Sequence, residues 1–271
     1  MTTMVTTGQI HKLRGVYETP IHYYWKIGDT EYFINEWIDK TVSITGLQRI
    51  TCLYCQRITK KSFNQGYCYP CFQRLARCDF CILKPEKCHY HFNTCREPAW
   101  GLSHCMQTHV IYLANTSGLK VGITRANHIP TRWIDQGAIQ AIPFFSVDTR
   151  YASGLIEDKM RTFISDRTQW QRMLSVKNPA IDLVSERERL YPLVLETIIP
   201  LNPIYLNDTT PIDLKYPILS MPEKIRSASL DKILTVEGRL VGIKGQYLIF
   251  DTGQVMNIRA LGGYHAEVRI G

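Results

Sequence analysis

Hydrophobic and polar positions along this chain change their period several times, and each change predicts a different element. Residues 21–27 and 31–34 are rich in aromatic and β-branched side chains and flank Gly28-Asp29, which predicts a β-hairpin. Residues 42–45 alternate and stop at Gly46, a further strand. The middle of the chain has the clearest pattern. Residues 109–114 predict a strand, 115–118 a turn, 119–124 its partner, and 141–147 a third strand. Pro130 stands where a short helix would open, carrying Arg132 and Trp133 and closing at Gly137. A 3.6-residue period then predicts a helix over 153–164, with Ile156, Met160, Phe163 and Ile164 buried and Glu157 beside them.

Residues 166–218 read as helical and then irregular. Ser185 and Glu188 form a capping-box pattern, and prolines from Pro192 to Pro222 predict a connector winding over the surface. Strands at 234–243, 246–250, 254–258 and 265–269, separated by glycine turns, predict a small barrel or curled sheet. So short a β-unit can complete itself with strands from residues 1–50. The expected class is α+β in four segments: a β-region at 1–50, a cysteine module at 51–108, an α/β unit at 109–218 and a β-region at 219–271.

The cysteines add chemistry to this pattern. All nine lie between Cys52 and Cys105. Cys52-x-x-Cys55 and Cys68-x-x-Cys71 are separated by twelve residues, and two such pairs on tight turns place four thiolates at the corners of a tetrahedron. That is a structural zinc site; unrelated buried thiols are the bland alternative. A second group holds Cys78, Cys81, Cys88, Cys95 and Cys105 among several histidines. Cys78 and Cys81 form another C-x-x-C pair. Cys88 with Cys95 is the first choice to complete a second zinc site, Cys88 with His91 is the alternative, and Cys105 can replace either. Four thiolates leave no open position for water, so both sites are expected to be structural.

Composition narrows the partners. Of 271 residues, 45% are hydrophobic and 21% charged, ordinary values for a folded chain. No apolar run approaches the ~20 residues that span a bilayer, so no membrane partner is expected. The start lacks a basic stretch followed by an apolar core, and unpaired thiols suit a reducing compartment, so a cytoplasmic location is expected. The formal charge of +8 falls to about +4 once eight thiolates and two zinc ions are counted. Cations such as Arg57, Lys60, Lys61, Arg74 and Arg77 alternate with Tyr54, Phe63, Tyr67 and Phe72 among the cysteines. Cations attract phosphates and aromatic faces stack bases, which points to DNA or RNA; a solvated surface over an aromatic core is the competing explanation.

The run Val110-Ile-Tyr112, a short turn, then Lys120-Val-Gly122 resembles the paired motifs of the GIY-YIG nuclease superfamily. Taken whole, the cysteine array followed by these motifs and by Arg132-Trp133 resembles a bacterial domain-of-unknown-function family, number 2797. The superfamily resemblance covers about residues 110–165 and implies a phosphodiesterase with one Mg²⁺. Tyr112 would orient or deprotonate water, Arg132 would stabilise growing charge, and Glu157 would hold the Mg²⁺. Lys120 and Arg125 would grip phosphate, and Arg125 competes with Arg132 for the arginine role. The chain departs from the pattern at Val110, where the family has glycine, and at Lys120, where it has its second tyrosine. Two readings follow: a metal-dependent endonuclease, or a non-catalytic nucleic-acid-binding adaptor that uses the same phosphate-recognising surface.

Overall fold

A computed structural model describes residues 3–174 and 179–271. Residues 1–2, part of the start read above, and 175–178, part of the segment read as helical, lie outside the described residues. From the N-terminus run β1 (Met4–Val16), β2 (His22–Ile27), β3 (Thr30–Phe33), β4 (Thr41–Ile50) and helix α1 (Tyr69–Arg74). The middle of the chain carries α2 (Pro98–Cys105), β5 (His109–Asn115), β6 (Leu119–Arg125), α3 (Thr131–Asp135), β7 (Gln140–Val147) and α4 (Arg150–Met160). Then come α5 (Trp170–Met173), α6 (Leu183–Ile198), β8 (Ile204–Tyr205) and β9 (Ile212–Asp213). The tail adds β10 (Arg226–Ala228), β11 (Thr235–Lys244), β12 (Tyr247–Phe250), β13 (Gln254–Asn257) and β14 (Tyr264–Ile270). The architecture is mixed α+β and divides into two compact units, residues 1–73 with 215–271, and residues 74–214. Among the described residues no helix is long and apolar enough to cross a membrane.

The first unit is built on one sheet with strand order β10-β13-β12-β11-β4-β14-β1-β2-β3. The order has two ends, so the sheet is open and not a closed barrel. Val42 and Ile44 of β4 face inward and lie opposite Ile270 and Val268 of β14, so alternation on both strands agrees with a single register. Gly28 and Asp29 form the two-residue turn between β2 and β3, Gly28 taking a φ of +60° that favours glycine. Gly8 crosses this turn so closely that a Cβ there would lie 2.4 Å from the Gly28 nitrogen. Pairing of β1 with β2 shifts register between Ile10 and Leu13, and the buried Gln246 side chain bonds both the N–H and the C=O of Leu13 at 2.9 Å. A glutamine there supplies the ladder bonds that the irregularity removes.

The second unit has an antiparallel sheet of order β6-β5-β7-β8, with β9 also on β7. Every residue of β5 is buried. Ile111 and Leu113 of β5 and Val121 and Ile123 of β6 pack against Ile156 and Met160 of α4 and Leu190 and Val194 of α6. By the two-residue period of a strand, Tyr112, Lys120 and Gly122 share the opposite face, where Tyr112 lies opposite Gly122 and beside Trp133 of α3.

Two helix expectations are corrected. Helix α4 starts at Arg150, capped by the Thr149 hydroxyl that accepts from the Ala152 N–H at 3.1 Å, and ends at Met160, leaving Phe163 exposed instead of on the buried stripe. Helix α6 starts at Leu183, and its cap is Asp182, which accepts from the Val184 and Ser185 N–H groups at 3.0 and 3.1 Å. Asp182 outcompetes the Ser185 box because a carboxylate accepts more strongly at a helix N-terminus than a hydroxyl.

Arg187 of α6 is buried. It donates to the Leu206 and Asn207 carbonyls at 2.8 Å each and to the Thr209 hydroxyl at 2.8 Å, so one guanidinium closes the loop behind β8. Arg187→Met keeps the apolar stem but leaves these oxygens without a donor, and is expected to cost about 3 kcal/mol in urea unfolding. A loss below about 1 kcal/mol would mean that water replaces the guanidinium there.

Candidate functional site

The first cysteine group is assembled on two short knuckles of the first unit. The Cys52 N–H donates to the Arg57 carbonyl at 2.9 Å and the Gln56 N–H to the Cys52 carbonyl at 3.0 Å, turning the chain between the first pair. The second knuckle turns at Gly66, with φ +140° and so near Leu53 that an added Cβ would lie 2.3 Å from its Cδ1, and passes into α1, where the Phe72 N–H donates to the Cys68 carbonyl at 2.9 Å. The Leu53 N–H donates to the Gly66 carbonyl at 2.8 Å and ties one knuckle to the other. Thr51 and Ser62 bond Gly263 and Gly262 at 2.8 and 3.0 Å, so the group rests on the turn before β14.

The four sulfurs of Cys52, Cys55, Cys68 and Cys71 lie within 4.8 Å of one another, and none is in a disulfide. Cys55 and Cys68 are 3.7 Å apart. A zinc–sulfur bond of about 2.3 Å gives a tetrahedron edge of roughly 3.8 Å, while a disulfide needs about 2.05 Å. The separation therefore fits chelation, and this group can hold zinc. Burial opposes ionisation of Cys52, yet the backbone N–H groups of Cys55, Cys68 and Tyr54 bring its thiol down to about 7. Cys71 is pushed up to about 12 by burial and by its neighbouring thiols. Phe63 stacks on Phe72 at 5.7 Å and meets Tyr69 at 5.3 Å, a small aromatic core beside the sulfurs.

The second group lies in the other unit. Cys81, Cys88, Cys95 and Cys105 line a partly enclosed cavity of about 10 Å³ with Asp79, His89 and Trp100. Asp79, Cys81 and His89 bring ligand atoms within 4.8 Å of one another and can also hold a metal. Cys88 is lowered to about 6, first by its hydrogen bond with Cys81, while burial opposes. Cys78 is buried but is not part of the cavity lining. His91 is exposed and outside the lining too, its ring 5.3 Å from that of Tyr151.

A polar cluster occupies the Tyr112 face of the second sheet. The Tyr112 hydroxyl donates to Gln136 Oε1 at 2.6 Å and lies over Gly122, where a Cβ would come within 2.5 Å of it. Tyr112 is fully buried, and burial pushes its phenol up to about 12, with Arg132 opposing and Glu157 reinforcing. Lys120 is 4% exposed, and its ammonium donates to two neutral oxygens, Gln136 Oε1 and Thr168 Oγ1, each at 3.4 Å. Burial lowers it to about 8; the like charge of Arg132 lowers it further, and Glu157 and Asp166 oppose. Glu157 is 9% exposed with its carboxyl raised by burial, and its Oε2 lies 3.8 Å from the Arg161 guanidinium.

Tyr112, Lys120, Arg132 and Glu157, spread over 46 positions from first to last, thus act on one another electrostatically. Arg125 is placed differently: its guanidinium meets His128 at 2.6 Å and its charge is felt by Cys105 and His109. Sequence reasoning missed Gln136, Arg150, Arg161, Asp166 and Thr168. Arg161 had a signal, standing four residues after Glu157 on a helical stretch. Thr168 and Asp166 had none, since they follow the helix in irregular chain.

Residues 39–266 match the family model described as protein of unknown function (DUF2797), so the chain belongs to that family. No curated protein and no solved structure matches it.

Two outcomes are expected. Cys55→Ser removes one zinc from the purified protein, read by native mass spectrometry, and unchanged zinc content would refute chelation by the first group. Gly122→Ala drives a methyl into the Tyr112 hydroxyl and costs about 2 kcal/mol of overpacking, read by thermal unfolding.

Proposed function

We propose that this DUF2797 protein is a zinc-stabilised nucleic-acid-binding protein that takes a backbone phosphate of DNA or RNA at Lys120 and Arg132. One observation carries this reading. A buried ammonium, bonded to neutral oxygens, has lost proton affinity first to burial and then to the like charge of Arg132, with Glu157 and Asp166 opposing. Two like charges in a low-dielectric place repel, and an anion between them relieves both. The likeness of residues 110–165 to the GIY-YIG superfamily supports phosphodiester chemistry as the source of that anion, and the net positive charge supports its attraction.

The same geometry favours recognition over hydrolysis. Water activation needs a phenol that can give up its proton, whereas the Tyr112 hydroxyl is already donated to Gln136 and burial pushes it up to about 12. The donor set near Glu157 does not fit Mg²⁺: Arg161 lies 3.8 Å from Glu157 and 2.9 Å from Asp166, and the charges of Lys120 and Arg150 also reach Glu157. A hard dication would have to displace these cations. No hydrolytic step is therefore assigned to Mg²⁺, and an endonuclease using Tyr112, Arg132 and Glu157 is the second reading. The specific observation favouring it is that Arg132 and Glu157 both act on the Tyr112 phenol.

Labelled single-stranded DNA and RNA, followed by fluorescence anisotropy, test the proposal. Lys120→Met is expected to weaken binding by about tenfold or more, the loss of one charge-assisted contact. Lys120 binds an anion only as ammonium, and its pKa is lowered to about 8. Affinity is therefore expected to hold below that value and to fall as pH rises through it, a fall that Lys120→Met abolishes. Binding indifferent to both the substitution and the pH would sink the reading. Cleavage products that need Mg²⁺ and vanish in Glu157→Ala would replace it with the endonuclease.

A further inference from the structure

We propose that a metal ion held by the second cysteine group, with Cys81 and Cys88 as its closing pair, seats helix α4. These two residues line one cavity and bracket the six-residue loop 82–87. That loop has no apolar core of its own: Leu83 is 72% exposed, and the chain runs through short 3₁₀ turns at Phe80–Ile82 and Pro85–Lys87. A segment of this kind keeps one shape only when its ends are tied, and a metal bridging its flanking thiols ties them.

The loop is the surface on which α4 rests. Arg150 Nη2 donates to the Ile82 carbonyl at 2.7 Å. One turn on, Gly154 lies so close that a Cβ would sit 2.5 Å from the Glu86 nitrogen and from Pro85 Cβ. Arg150, Gly154 and Glu157 stand at i, i+4 and i+7, one face of a helix. The seat therefore sets the height of Glu157 as well.

Asp79 and His89 complete the donors, because their ligand atoms and that of Cys81 lie within 4.8 Å of one another, and Cys88 lines the same 10 Å³ cavity. That volume is about that of a single water-sized probe, and sulfur lining selects a soft cation such as Zn²⁺. Arg96 holds the Asp79 carboxylate at 2.7 Å and Thr94 holds His89 Nδ1 at 2.7 Å, which leaves His89 Nε2 facing Asp79 at 3.5 Å. The consequence for Glu157 rests on the phosphate-site reading above; the seating of α4 does not.

The full-length protein, its Cys88→Ser variant and its Arg150→Met variant test this by zinc content in native mass spectrometry and by amide hydrogen exchange over residues 150–160. Cys88→Ser is expected to lose one zinc, to keep the zinc of the Cys52 group, and to exchange about tenfold faster across α4. Arg150→Met leaves the thiols intact, so it is expected to keep both ions and still speed exchange in α4 and in the loop. Unchanged zinc in Cys88→Ser overturns the site, and lost zinc with α4 exchange within about twofold of the parent overturns the seating. Should Cys88→Ser fail to fold, stepwise chelation of the parent gives the same two readings, since removing the second ion must speed exchange in α4. Loss of the Lys120 effect on nucleic-acid binding, with these exchange results intact, would remove the phosphate reading and leave this one standing.

Discussion

Four sulfurs within 4.8 Å of one another set the terms for the stretch of chain around them. As thiolates they repel, and as thiols they offer weak donors to weak acceptors; a bound cation turns the crowding into attraction. The knuckles of residues 52–71 carry little aliphatic surface, so a bound ion would supply, with a few aromatic contacts, the free energy that holds them. Their bonds to the turn at Gly262–Gly263 then make the same sulfurs part of the edge of β14. Loss of the ion would be felt in the sheet, through hydrogen bonds rather than through a shared hydrophobic core.

The second unit depends on a different economy, in which charge is buried and only partly compensated. Lys120 bonds neutral oxygens, Glu157 is shared with Arg161, and Arg150 reaches from α4 to the Ile82 carbonyl. Each is more costly to bury than an apolar side chain of the same size. Arg187 marks the contrast: it is as buried, yet its two terminal nitrogens donate to Leu206, Asn207 and Thr209 of one loop.

Much of the fold was legible along the chain. The Gly28-Asp29 turn, the three strands of the α/β unit and the glycine turns of the tail stand where alternation and turn residues put them. Strand β1 was not read as a strand, because Met4–Val16 mixes intermediate and buried positions and loses its period at the irregularity near Leu13. The start of α6 was misread because Asp182 and Ser185 both carry capping signals, and only the backbone shows which one accepts. In the polar cluster, Gly122 is a glycine because the Tyr112 hydroxyl lies on it, a reason that neither residue reveals alone.

The sequence by itself determined the local periods, the turns and the close pairing of thiols, since each depends on residues a few positions apart. Tertiary structure alone decided that β14 runs between β1 and β4, that Cys105 shares a cavity with Cys81, and that the Tyr112 phenol is buried. Those outcomes depend on contacts between distant segments, where burial, register and charge are settled together and no neighbouring residue carries the signal.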